Sequence, residues 1–320
     1  MEQTDILPAV ERSGRIPKTK DNKDIVWTPA RIKQAADLFL RYNNSNLRTV
    51  TLACLYEFSA LTEQTLLQMV TQLVAVSDNP TSFRRRLYGY EKDGLIESLS
   101  RDVLRKALRA GLPEPDQGIL RAYRLGPVGL EIAAFKFTTE LNIPLSTNTI
   151  TEDYLTHDLL CAEAMLKMQS LWLAPADSED PGIRKSAGRV KVCGPNDISV
   201  WDQENHKALL APDGLLIKHG MNGVFQRAFL IEYYNNNARM HVKNKLEKYE
   251  RLAREEYDWI WQSWGLTEMP WITVLYRQEA TLQHYQEELS NRSDVAASYA
   301  AVSLAEVWAG KLSIRPIKFE

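Results

Sequence analysis

The sequence predicts an α+β fold in two parts, a helix-rich front half closed by a short β-hairpin and a mixed α/β back half. Three observations carry this prediction. Apolar residues recur at helical spacing through much of residues 28–141; the stretch 209–234 alternates runs of β-formers with turn residues; and Trp271 to Tyr276 reads Trp-Ile-Thr-Val-Leu-Tyr, the continuous apolar run of a buried strand. At 320 residues the chain is long for one core, so two domains are expected. Residues 1–24 read as a flexible basic arm, 25–145 as the first domain and 146–320 as the second.

Composition narrows the class. Hydrophobic content of 44% and charged content of 25% describe an ordinary globular protein. Cys54, Cys161 and Cys193 are scattered and odd in number, which argues against a disulfide framework or a zinc site and fits a reducing cytoplasm. No apolar run approaches a membrane span, so no membrane partner is expected. Net charge is −2, yet residues 1–150 carry 20 Lys+Arg against 17 Asp+Glu while 151–320 carry 19 against 24. The basic surplus lies at the front.

In chain order, Thr28-Pro29 supplies an N-cap and a first-turn proline, followed by the apolar stripe Ile32, Ala35, Ala36, Phe39 and Leu40. Val50 to Phe58 is a second helical segment, and Thr62 caps a third with Leu66, Leu67, Met69, Val70 and Leu73 inward. Thr81-Ser82 start a fourth, ending at Asp93-Gly94, and extended segments follow at Leu95-Ile96 and Leu120 to Leu125. Helices, a basic last helix and a hairpin in this order describe a winged helix-turn-helix. In the basic helix Phe83, Leu87 and Tyr90 pack inward, while Ser82, Arg85, Arg86 and Gly89 point out and Arg84 adds charge. Arginine suits both guanine edges and phosphates, so duplex DNA is the expected partner. The insertion from Ser98 to Gln117, with Arg101, Arg105, Lys106 and Arg109, is expected to lengthen the wing toward the DNA backbone.

The second domain opens with a long helix from Glu152 to about Leu173 that carries His157. After a loop at 175–188 and the segment 190–210 comes a strand, turn, strand and helix over Pro212 to Tyr249. Pro212-Asp213-Gly214 precedes one strand, Glu232 lies on its neighbour, and the helix carries Lys243, Lys245 and Lys248. Two carboxylates at one sheet edge below helix lysines suit Mg²⁺, a hard cation that takes oxygen ligands. The same pattern is also produced by an ordinary turn and a solvated glutamate. Glu250 to Trp264 continues the helix, Thr281 to Leu289 is amphipathic, and Ser303 to Ile317 gives a short helix and a last strand.

The order winged helix, helix with His157, Pro212-Asp213, Phe229-Leu230-Ile231-Glu232, and helix with Lys245-Leu246 and Tyr249 resembles the replication-relaxation family of plasmid and mobile-element proteins. The resemblance covers most of residues 28–277 through short motifs. It implies a restriction-endonuclease-like, PD-(D/E)xK mixed-sheet domain behind the winged helix, and a role in plasmid mobilisation or replication. It further implies Asp213 as the motif aspartate, Glu232 as the second-strand acid, Lys245 as the lysine displaced onto the next helix and His157 as the histidine of the preceding helix. In those roles Asp213 and Glu232 hold Mg²⁺ or Mn²⁺ and Lys245 stabilises transition-state charge. The implied partners are duplex DNA, relaxosome or other mobile-element proteins, and a second copy of the chain. The sequence departs from the pattern where Tyr234 stands two residues after Glu232 in place of lysine, and where Asn235-Asn236-Asn237 replaces a basic, glycine-containing turn. Two readings therefore stay open: a metal-dependent nickase, and a non-catalytic DNA-binding regulator or relaxosome accessory with a degenerate nuclease-like domain.

Overall fold

A computed structural model of the chain describes residues 27–43, 45–74, 79–115, 119–138, 151–173, 190–202, 204, 207–220, 225–234, 239–255 and 257–317. The basic arm, the expected domain break at 142–148 and the 175–188 loop lie outside them. Among the described residues the chain forms a mixed α+β structure of 12 helices and 11 strands, and no helix is long and apolar enough to cross a membrane. By contacts it divides into two units, one of residues 1–104, 115–140 and 144–155, the other of 105–114, 141–143 and 156–320.

In the first unit α1 (Pro29–Tyr42) starts at Thr28, whose side chain accepts from the Arg31 amide at 3.4 Å, and buries Ala35, Ala36 and Phe39. Helix α2 (Asn46–Phe58) begins four residues earlier than Val50 because Ser45 caps it. Strand β1 (Ala60–Thr62) follows at once and leads into α3 (Glu63–Leu73), capped by Thr62. Helix α4 (Pro80–Lys92) also starts ahead of expectation, since Asn79 accepts from the Thr81 and Ser82 amides at 3.0 and 3.1 Å and Pro80 needs no amide partner. Gly94, at φ +67, then turns the chain into β2 (Ile96–Ser98).

The insertion does not lengthen a wing as strand. It forms α5 (Arg101–Arg109), with Val103 and Ala107 fully buried, before β3 (Ala122–Leu125) and α6 (Pro127–Lys136). Small apolar residues four apart, continuing to Ala110, gave the helix its buried face beneath the charges. The strands make an antiparallel sheet in the order β1-β3-β2. Residues 105–114 count with the second unit, where the Arg277 guanidinium donates to the Arg109 carbonyl at 2.8 Å.

The second unit is built on α7 (Glu152–Leu173), which buries Leu159, Leu160, Met165 and Met168. Strand β4 (Val190–Cys193) leads through the short α8 (Pro195–Ile198) to a two-stranded ribbon of β5 (Val200–Asp202) and β6 (Lys207–Leu210). Strands β7 (Gly214–His219) and β8 (Phe225–Tyr234) follow, then α9 (Arg239–Arg254), α10 (Asp258–Ser263) and β9 (Trp271–Tyr276). The chain closes with α11 (Glu279–Ser290), β10 (Tyr299–Ser303), α12 (Leu304–Trp308) and β11 (Arg315–Pro316). The helix expected to run unbroken to Trp264 instead ends at Arg254. There Glu250 and Arg254 turn to the segment before β10: Glu250 accepts from the Ala296 and Ala297 amides at 2.8 and 3.2 Å and from the Tyr299 hydroxyl at 2.9 Å.

One mixed sheet runs β11-β10-β9-β8-β7-β4. Strands β4, β7 and β8 form an antiparallel meander, and β8, β9 and β10 run parallel. Strand β9 lies inside the sheet, as its continuous apolar run predicts. One face packs Leu230, Ile272 and Val274 against Leu246 and Tyr249 of α9 and Tyr285 and Leu289 of α11. The other is covered by α7, whose approach at Gly214 is so close that a Cβ there would meet the Met165 sulfur at 2.0 Å.

Candidate functional site

Asp213 closes the turn into β7, and its amide donates to the Ile231 carbonyl of β8 at 3.1 Å. That bond places its side chain beside the C-terminal end of β8, where Oδ2 accepts from the Tyr233 amide at 2.7 Å. Alternation along β8 sends Tyr233 toward α7 and Glu232 to the opposite side, toward α9. The sheet edge therefore joins two half-sites. On one side the His157 ring packs 5.1 Å from that of Tyr233, and His157 Nε2 lies 3.2 Å from the Tyr233 carbonyl and 3.5 Å from Asp213 Oδ2. On the other, Glu232 receives the Lys245 ammonium on Oε2 and the Tyr249 hydroxyl on Oε1.

Thus Asp213, Glu232, Lys245 and His157, spread over α7, β7, β8 and α9, come together. Their exposures differ: Glu232 is 1% exposed, Asp213 18%, His157 24% and Lys245 31%.

The charges are coupled. Burial opposes ionisation of Asp213, but His157 and Lys245, with the hydrogen bonds from His157 and the Tyr233 amide, outweigh it and hold this carboxyl below the usual range. Burial also opposes a charged His157, and is overcome by Asp213 and Asp158, which raise the imidazole well above 6.5. Its geometry agrees, because Nδ1 faces the Asp158 carboxylate at 3.3 Å and both ring nitrogens meet oxygen acceptors. Only the doubly protonated imidazolium donates at both. Burial raises Glu232, with Asp213 adding to the shift and Lys245 opposing it. Lys245 is raised by Glu232 and Asp213 against the effect of burial. Asp213, Glu232 and Asp158 are thus faced by His157 and Lys245, so most of the cluster's negative charge is met by its own cations.

The expected metal pair does not fit a divalent ion in this arrangement. Glu232 is almost wholly enclosed, with an ammonium on one oxygen and a phenol on the other. Among the described residues no group of three or more His, Cys, Asp and Glu is disposed to hold a metal. Tyr234, in the place of the pattern's lysine, is buried on the α9 and α11 side and accepts a hydrogen bond from the Tyr285 hydroxyl at 2.6 Å. Tyr233, Tyr234 and Tyr249 all have phenols raised above 10 by burial first. They are packing groups, as their positions in strand and helix suggest.

In the first unit α4 presents Ser82, Arg85 and Arg86 to solvent and buries Phe83, Leu87 and Tyr90. Arg84 is also exposed, but its guanidinium is committed to Glu63 of α3, with Nε donating at 2.8 Å. Arg101, Arg105 and Lys106 are exposed on α5, of which Arg105 and Lys106 count with the second unit. Sequence reasoning missed Glu63, which sits 21 residues from Arg84 and carries no local signal. It missed Asp158 beside His157 as well.

No family model matches the chain, and no curated protein or solved structure matches it either.

Proposed function

We propose that the protein binds duplex DNA through its first unit, in the manner of mobile-element replication or mobilisation proteins. On this reading the second unit is a nuclease-like domain that serves binding and assembly rather than cleavage. Three observations support the DNA-binding part. The order α2, β1, α3, α4, β2, α5, β3, with β3 between β1 and β2, supports a winged helix-turn-helix with a helix inserted between its two wing strands, in which α4 would be the recognition helix. Its outward positions 82, 85, 86 and 89 share one face at helical spacing. Arg85 and Arg86 on that face offer bidentate donors to guanine or phosphate.

For the second unit, the run α7, β4, β7, β8, α9, β9 with a meander and one parallel crossover is the plan that the PD-(D/E)xK resemblance implies. The observation that carries the non-cleaving reading is Glu232, enclosed between Lys245 and Tyr249. Internal cations there do the neutralising that a metal does in a working nuclease. A metal-dependent nickase is the second reading, favoured by the convergence of Asp213, Glu232 and Lys245; it requires Lys245 to leave Glu232.

Duplex binding is tested by fluorescence anisotropy over a salt series. Arg85→Ala with Arg86→Ala is expected to weaken binding at least about tenfold and to flatten the slope of log K against log salt by about two if both arginines meet phosphate. Unchanged affinity and slope would remove α4 from the DNA interface.

A further inference from the structure

The second unit holds a cleft of about 230 Å³ that the carboxylate site does not use, lined by Trp172, Arg227, Phe229, Trp271, Leu312 and Ile314 together with Pro316. Strand register gathers its polar end. Lys218 stands opposite Arg227 across β7 and β8, and Phe229 stands opposite Trp271 across β8 and β9. Arg227 and Phe229, two apart on one strand, face the same side. The Arg227 guanidinium carbon lies 4.8 Å from the centre of the Trp271 ring, and Lys218 Nζ lies 5.7 Å from that of Trp172. Trp172 in turn packs at 5.3 Å on Phe229.

Cations at these distances are attracted to an indole face. Two cations directly opposed on neighbouring strands nevertheless repel, and among the described residues lining the cleft none is a carboxylate. An anion brought to this end relieves the repulsion. The cleft is smaller than the roughly 300–1,000 Å³ of drug-sized sites, which suits one planar ring. A flat aromatic ring attached to an anion is the chemistry of a nucleobase and its phosphate: indoles stack on bases of any sequence, and Lys and Arg hold the backbone. In a duplex those ring faces are already stacked on neighbours, so the base has to be unpaired.

We propose that this cleft binds single-stranded DNA, seating one unpaired base against Trp172 and Trp271 with its phosphate at Lys218 and Arg227. The proposal rests on the DNA-binding reading and gives the second unit its own ligand. Trp172 lies about 22 Å along α7 from His157, at 1.5 Å per residue, so the cleft and the carboxylate cluster can be altered separately.

The test is fluorescence anisotropy of the full chain with labelled oligo(dT), labelled oligo(rU) and a labelled blunt duplex. Trp172→Ala, and separately Lys218→Gln with Arg227→Gln, are compared with the Arg85→Ala, Arg86→Ala variant. Each cleft variant is expected to bind oligo(dT) at least about fivefold more weakly while its duplex affinity stays within about twofold. The α4 variant is expected to show the reverse. The surface pair Lys218 and Arg227 keeps the test valid if Trp172→Ala fails to fold, which thermal melting reports. Oligo(dT) that does not bind the wild type, or binds the cleft variants as tightly, overturns the proposal. Tighter, cleft-dependent binding of oligo(rU) overturns the DNA assignment in favour of RNA. Cleft-dependent oligo(dT) binding by a protein that ignores duplex supports the cleft and refutes the α4 reading alone.

Discussion

Glu232 is a buried carboxylate satisfied by two side chains of a single helix, and removing either donor leaves its charge stranded. Breaking a buried pair costs roughly 3–5 kcal/mol; Lys245 is 31% exposed, so water entering beside it reduces that loss. Lys245→Met should therefore destabilise the protein by about 2–4 kcal/mol in urea denaturation. Adding Glu232→Gln should recover most of the loss, because a neutral amide needs no counter-charge. His157 gives a second prediction. Its folded-state pKa is raised above 6.5, so its contribution is full below pH 6.5 and disappears as pH rises through the folded value. The destabilisation by His157→Gln should thus be greatest near pH 6 and shrink in alkaline buffer, whereas a purely steric role gives a pH-independent loss. Asp213 works in the other direction: its lowered pKa stabilises the fold above about pH 4, and that contribution falls away as acid titrates it. At this scale turn and strand signals marked Asp213 and Glu232 as a pair at one sheet edge, whereas His157 and Lys245 were singled out by the family resemblance alone. The enclosure of Glu232 was not legible, since it depends on Lys245 and Tyr249 of the next helix closing on both of its oxygens, a tertiary contact.

At the scale of elements, α4 was readable almost completely, because a helix with one apolar stripe announces which residues face out. What the sequence could not show is that Arg84 is already committed to Glu63. Arg84→Ala should consequently weaken duplex binding much less than Arg85→Ala in the same anisotropy assay, and an equal loss would mean that Arg84 exchanges Glu63 for phosphate. Strand β1 escaped notice because three residues are too few to display a period, and they extend only because β3 pairs with them. Helix α5 was hidden by its charges: five of its nine residues are Arg, Lys or Asp, and the small buried residues supply little hydrophobicity of their own. The break between α9 and α10 is likewise tertiary, fixed by Glu250 reaching the residues ahead of β10. Gly214 offers a test of how tightly α7 is applied to the sheet. Gly214→Ala puts a methyl into the Met165 sulfur and should cost about 1–3 kcal/mol in urea denaturation, with Met165→Ala in the same chain relieving the clash.

For the molecule as a whole, the chain pairs a unit with an outward basic helix and a unit whose inward carboxylates are balanced by its own cations. Length and the change in pattern along the chain predict two parts, with a boundary near 145. By contacts the division falls at 155/156 within α7, while the composition break at 142–148 lies outside the described residues. The central claim is that the protein engages duplex DNA without cutting it. The most direct measurement incubates supercoiled plasmid with the full chain in Mg²⁺ or Mn²⁺, running one portion as a gel shift and a deproteinised portion for topology. The account predicts a retarded plasmid that is still supercoiled once protein is removed, for the wild type, Asp213→Ala and Glu232→Ala alike. Open-circular product from the wild type that disappears in both variants would contradict it and establish a metal-dependent nickase.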